Sequence, residues 1–105
     1  MGRPRQPIGE DVYQAAAAAV SKAFGVSIKD LLGPHRGPFT VSDARLALYV
    51  LLDDAGATRE QTGRWLGRNH TTVTHGIKAA KELMQTNPSF RMMFLNAANT
   101  WRKLI

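Results

Sequence analysis

From about Glu10 to Phe24, apolar residues fall at helical spacing: Val12, Ala16, Val20 and Phe24, with Ala19 between them and a stop at Gly25. "VSIKDLLG" offers Ser27 as N-cap of a short helix carrying Ile28, Leu31 and Leu32, closed by Gly33. Two Gly-Pro steps in "GPHRGPF" (Gly33–Phe39) exclude regular structure there and leave an exposed loop with Arg36 near its tip. Thr40 or Ser42 can cap the next helix, in which Ala44, Leu46, Ala47, Leu48, Val50, Leu51 and Leu52 are apolar nearly all round. That marks a central buried helix, ended by Asp53, Asp54 and Gly56. A short helix from about Thr58 to Leu66 follows. The last helix starts at Pro88 and puts Phe90, Met93, Phe94, Ala97, Trp101 and Leu104 on one face. The chain reads as all-α, a compact bundle of about six helices.

Between the last two of these lies "GRNHTTVTHGIKAAKEL", Gly67 to Leu83. Its Thr-Thr-Val-Thr core has strand propensity, but the Ala, Lys, Glu and Leu that follow favour helix. Asn69 is a good N-cap, and a helix begun there puts Val73, Ile77, Ala80 and Met84 on one inward face. Thr71, Thr72, His75, Lys78 and Glu82 then lie on other faces. A short helix, a tight turn centred on Gly67 and a longer helix make a helix-turn-helix, whose second helix is built to enter a DNA major groove. The residue types suit that task. Arg pairs with guanine, Asn with adenine, and Thr offers a hydroxyl and a methyl to thymine. Lys78 and Lys81 lie further along, where phosphate contacts are expected.

Charge sharpens this picture. Residues 1–55 hold six Lys or Arg against six Asp or Glu, whereas residues 56–105 hold eight against two, so the whole excess of +6 lies in the half that contains Gly67–Leu83. A one-sided basic field points to a polyanionic partner. The first nine residues, "MGRPRQPIG", read as a flexible basic arm, with Arg3 and Arg5 able to trail into a groove, and residues 10–105 as one domain. No apolar run approaches the roughly 18 residues that span a membrane, and the expected compartment is the bacterial cytoplasm, at the nucleoid.

Enzymatic readings find no support. There is no cysteine, and no Gly-rich phosphate loop or Ser-centred nucleophile motif. His70 and His75 are five residues apart, roughly 140° around a helix, so they do not converge on a metal. No metal or other cofactor is expected. Two plain alternatives stay open: an exposed helix start explained by capping alone, and for Trp65 and Trp101, packing in the core or against a partner rather than on bases.

"GRNHTTVTHGIKAAKEL" closely resembles the signature of the DNA-binding C-terminal domain of DnaA, the bacterial replication initiator, approximately Gly-Arg-Asp-His-Thr-Thr-Val-x-His-Ala. Asn69 stands for the Asp and Gly76 for the final Ala. The resemblance runs on through "VSIKDLL", "ARLALYVL" and "TGRWLGRNH", and it covers the reader domain, not the ATPase module that precedes it in the initiator. It implies a DnaA C-terminal or Trp-repressor-like fold. It also implies that Arg68, His70, Thr71, Thr72 and His75 sit in the major groove, that Arg36 enters the neighbouring minor groove, and that Arg45 contacts phosphate. Ser42 and Asp43 depart from the family's more basic or proline-bearing pattern. Aspartate can only accept hydrogen bonds and suits cytosine, whereas Asn69 moves the preference toward adenine or relaxes it.

The function expected is sequence-specific binding of double-stranded DNA by a transcription regulator, with the transcription machinery or a partner regulator as protein contact. Stand-alone domains of this kind occur as activators in phage-like and gene-transfer-agent clusters. A replication accessory that occupies origin sites is one alternative. A protein-interaction module using the Trp101/Met92 end, with DNA binding lost, is another.

Overall fold

The computed structural model describes residues 9–33 and 39–104. Arg3, Arg5, Arg36 and the side chain of Leu104 lie outside the described residues. Among those described there are six helices and no strand: α1 (Glu10–Phe24), α2 (Ile28–Leu32), α3 (Phe39–Ala55), α4 (Arg59–Leu66), α5 (His70–Thr86) and α6 (Pro88–Leu104).

Local chemistry sets most of the boundaries. Glu10 and Asp11 occupy the first turn of α1 and Lys22 its last, matching the helix dipole. Ser27 caps α2 by accepting from the Asp30 N–H at 3.1 Å, and Thr58 caps α4 by accepting from Gln61 at 3.0 Å. Asn87 serves two helices. Its N–H donates to Leu83 O at 2.7 Å, closing α5, and its Oδ1 accepts from the Phe90 N–H at 3.0 Å, opening α6. Pro88 therefore takes the first position of α6, where its missing N–H is no loss.

One boundary differs from the sequence reading. The central helix α3 begins at Phe39, so Thr40 and Ser42 lie within its first turn and cap nothing, and Asp53 and Asp54 remain helical up to Ala55. Ser42 is thereby left exposed on the α3 surface.

α3 is the hub. It touches α1, α2, α4, α5 and α6, and Val41, Ala44, Ala47, Leu48, Tyr49, Val50, Leu51 and Leu52 are all buried. Burying Leu48, Leu51 and Leu52 alone contributes on the order of 5–9 kcal/mol of hydrophobic driving force. α1 lies against α6 and α3, with Phe24 meeting Phe90 edge-on at 5.8 Å between ring centroids. Tyr13 of α1 stacks on Trp65 of α4 at 4.7 Å and 8°, and its hydroxyl donates to Trp65 O at 3.3 Å. Trp65 is thus a packing residue. Trp101 is half-buried against the core. No helix among the described residues is long and apolar enough to cross a membrane.

Candidate nucleic-acid interface

α4 and α5 meet at a turn that only a glycine on α4 permits. The Arg68 N–H donates to Gly63 O at 2.8 Å, and a Cβ at residue 63 would lie 2.4 Å from Arg68 O. The turn backbone therefore rests directly on α4. Gly67, with φ +66°, ends α4, and α5 begins at His70 after only Arg68 and Asn69. This is the helix-turn-helix expected from the sequence.

Asn69 caps α5 as expected, with a consequence for its amide. Oδ1 accepts from the Thr71 N–H at 2.7 Å, which fixes which end of the amide is oxygen and leaves the Nδ2 amino group facing outward. What Asn69 keeps free is chiefly a donor, with one lone pair left on Oδ1. Beyond the cap, Val73, Gly76, Ile77 and Ala80 are buried and Met84 half-buried, while Asn69, His70, Thr71, Thr72, His75 and Lys78 are exposed. The structure brings these six together on one outward stretch of α5. Thr74, half-buried, turns its hydroxyl back to His70 O at 3.0 Å.

The two expected arginines within the described residues are placed differently. Arg68 is half-exposed and tethered. Its Nη1 donates to Leu66 O at 3.2 Å and Gly67 O at 3.4 Å, and its Nη2 donates to Gly33 O at 3.3 Å. Arg45 is only 9% exposed. Its Nε donates to Leu31 O at 3.0 Å, and its Nη2 to Asp30 O and Gly33 O, both at 2.8 Å. Instead of standing free at the surface, it closes the carbonyl end of α2, where a helix leaves acceptors without partners. Burial, then the nearby Arg68 charge, lowers the Arg45 pKa. Gly33 O is shared by both guanidinium groups, so Gly33 is fixed to α3 and to the turn before α5.

Between α3 and α5 these side chains border a notch of about 380 Å³, lined by Ser42, Arg45, Leu46, Tyr49, Arg68, Thr72 and Gly76. Tyr49 is buried, and its ring lies flat against α5: a Cβ at residue 76 would come within 2.5 Å of Tyr49 Cδ2. Tyr49 and Ser42 were not singled out from the sequence as site residues. The available signal was Gly76, an isolated glycine inside a helical pattern, which marks a close approach by another element. No group of three or more His, Cys, Asp or Glu that could hold a metal occurs among the described residues.

No family model matches the chain. The chromosomal replication initiator protein DnaA of Thermomicrobium roseum is 35% identical over 74 residues, which is 70% of this chain and 16% of that protein. DnaA of Levilactobacillus brevis is 33% identical over 73 residues, 69% of this chain and 16% of that protein. The chain is a DnaA C-terminal-like domain. DnaA of Ruegeria pomeroyi matches at 32% over 69 residues, 65% of this chain and 15% of that protein, so the DnaA-like domain spans about a sixth of the length of these relatives.

Proposed function

We propose that this DnaA-like domain binds double-stranded DNA sequence-specifically, with the N-terminal half of α5 in the major groove. The observation that carries the reading is the outward stretch Asn69, His70, Thr71, Thr72, His75 and Lys78. It stands directly after a helix-turn-helix turn, holds no carboxylate, and lies in the half of the chain with all of the net positive charge. Arg68 serves this interface from a tethered position in the turn, two residues before α5, whose N-terminal N–H groups favour phosphate. Arg36 is assigned to the adjacent minor groove on the strength of the resemblance. Arg45 acts beneath the surface, by holding the base of that loop through Gly33.

The finer role we infer is regulation of transcription, including activation of a phage-like or gene-transfer-agent cluster, and it rests on the resemblance alone. Such a regulator would work in the cytoplasm, at the nucleoid, alongside transcription machinery or a partner regulator. The deciding experiment is selection of binding sites from random duplex DNA at physiological salt. The wild-type chain runs beside a His70→Ala/Thr71→Ala variant, whose two side chains are exposed and whose helicity should be unchanged. A defined motif lost in the variant is the expected result, and a footprint of that motif at promoters rather than origins supports the regulatory role. Salt-sensitive binding with no motif would overturn the reading in favour of a protein-interaction module.

A further inference from the structure

α6 packs on α1, α5 and α3, and that packing uses only part of its circumference. Phe90, Phe94, Ala97 and Ala98 are buried and Trp101 is packed on the core, whereas Met92 is 62% exposed and Leu95 51%. Met92 stands about 180° around the helix from Trp101, so the core cannot reach it. The Trp101/Met92 end considered from the sequence is therefore two opposite faces, and only that of Met92 and Leu95 is open. Beside Met92, an open hollow of about 540 Å³ is bordered by Pro88, Ser89 and Met93. Exposed Arg91 precedes this apolar pair, exposed Arg102 and Lys103 follow it, and α6 holds no Asp or Glu. Arg102 and Lys103 suit the negative end of the helix, but Arg91 lies in its first turn, where a cation is unfavourable. The fold explains neither Arg91 nor the exposed pair.

We propose that this face of α6 docks an acidic amphipathic helix of a partner protein, with apolar residues on Met92 and Leu95 and carboxylates opposite Arg91 at one end and Arg102 and Lys103 at the other. Charge decides between the occupants. Two copies of α6 laid antiparallel would set Arg91 against Arg102 and Lys103, and laid parallel would set each cation against its like, so a second copy is repelled. DNA would satisfy the cations but leave Met92 and Leu95 without apolar partners. Arg91 and Arg102 lie about 16 Å apart along the axis, so roughly three turns of a partner helix cover the site. The face is also remote from the bases. α6 begins after only Asn87 beyond the end of α5, whereas His70, Thr71 and Thr72 stand at the other end of α5, about 24 Å away. A partner helix and a duplex can then be held at once, and the docking face does not depend on the DNA-binding reading.

The test uses the full 105-residue chain and two synthetic helical peptides. One carries Leu at i, i+3, i+4 and i+7 on one face with Glu flanking it, and its twin carries Lys in place of every Glu. Each is titrated into the protein and followed by NMR at the Met92 and Leu95 methyl groups and the backbone amides. The acidic peptide should give saturable shifts centred on α6, with a Kd on the order of 100 μM, and the basic twin should bind at least about tenfold more weakly. Met92→Gln/Leu95→Gln replaces exposed side chains only, so it should abolish these shifts while leaving the melting temperature and duplex binding unchanged. Arg91→Gln should weaken the acidic peptide several-fold. Equal binding of the two peptides, shifts centred elsewhere, or no binding of the acidic peptide up to about 1 mM overturns the proposal. Concentration-dependent dimerisation in sedimentation, abolished by Met92→Gln/Leu95→Gln, would give the face to a second copy and overturn it as well. Flotation with phosphatidylglycerol vesicles that is lost in the same variant would overturn it in favour of a lipid surface. A chain that binds the acidic peptide through α6 but binds no duplex retains this face and loses the DNA reading.

Discussion

Asn69 Oδ1 already accepts from the Thr71 N–H at 2.7 Å, so one of its two lone pairs is committed to the cap while both Nδ2 protons are free to meet a base edge. That constrains the geometry of the bidentate adenine contact that asparagine can make and adds weight to edges bearing acceptors, such as guanine or the thymine O4. An aspartate at this position would cap the helix equally well and present an acceptor outward. Asn69→Asp should therefore leave thermal stability nearly unchanged while site selection moves toward cytosine at one position, by about 1–3 kcal/mol of discrimination. Parallel selections with the two proteins check this, and identical motifs would refute it. Arg45 makes the opposite kind of prediction. It is 9% exposed and bonds three carbonyls, so Arg45→Met removes charge-assisted hydrogen bonds and leaves buried acceptors unpaired. A loss of about 2–4 kcal/mol is expected, seen as a lower denaturant midpoint at an unchanged slope. Arg45→Lys should recover little of it, since one ammonium on a flexible stem cannot reproduce the planar fork.

Among the elements, the α4–α5 pair depends on the missing side chain at Gly63. Alanine is the better helix former by about 1 kcal/mol, yet its Cβ would sit 2.4 Å from Arg68 O, and a backbone carbonyl cannot swing aside as a side chain can. Gly63→Ala should destabilise the domain by about 1–3 kcal/mol and weaken DNA binding beyond what unfolding explains, because the turn must lift off α4. Thermal melts and affinities measured well below the melting temperature separate the two effects. All six helices were legible in the sequence because each carries its own periodicity and most carry their own cap: Ser27, Thr58, Asn69 and the glycine or proline stops act within a few residues. The exposure of Asn69, His70, Thr71, Thr72, His75 and Lys78 was legible for the same reason. The burial of Arg45, the Tyr13–Trp65 stack and the fit of Tyr49 onto Gly76 were not. These join residues 12 to 52 positions apart, and helical periodicity carries no information about which faces meet. The start of α3 at Phe39 was misread because Thr40 and Ser42 are both good capping types, and a cap is decided by where the preceding loop enters.

For the whole molecule, the decisive property is the uneven distribution of charge. With eight Lys or Arg against two Asp or Glu in residues 56–105, the half that carries the helix-turn-helix attracts any duplex regardless of sequence, while the other half is neutral. Affinity should then fall steeply with salt, each neutralised phosphate contributing a slope of about −0.9 in the logarithmic plot. Lys78 is exposed on α5, beyond the residues proposed to meet the bases. Lys78→Gln should flatten that slope by about one phosphate's worth and weaken selected and random duplexes by the same factor, leaving the motif untouched. Asn69→Asp should do the reverse, changing the motif with no change in slope. Salt titrations of both variants on both kinds of duplex thus divide the interface into its sequence-blind and its reading parts. A Lys78→Gln effect confined to the selected duplex would mean that Lys78 reads bases and that α5 lies deeper in the groove than its exposed N-terminal half requires.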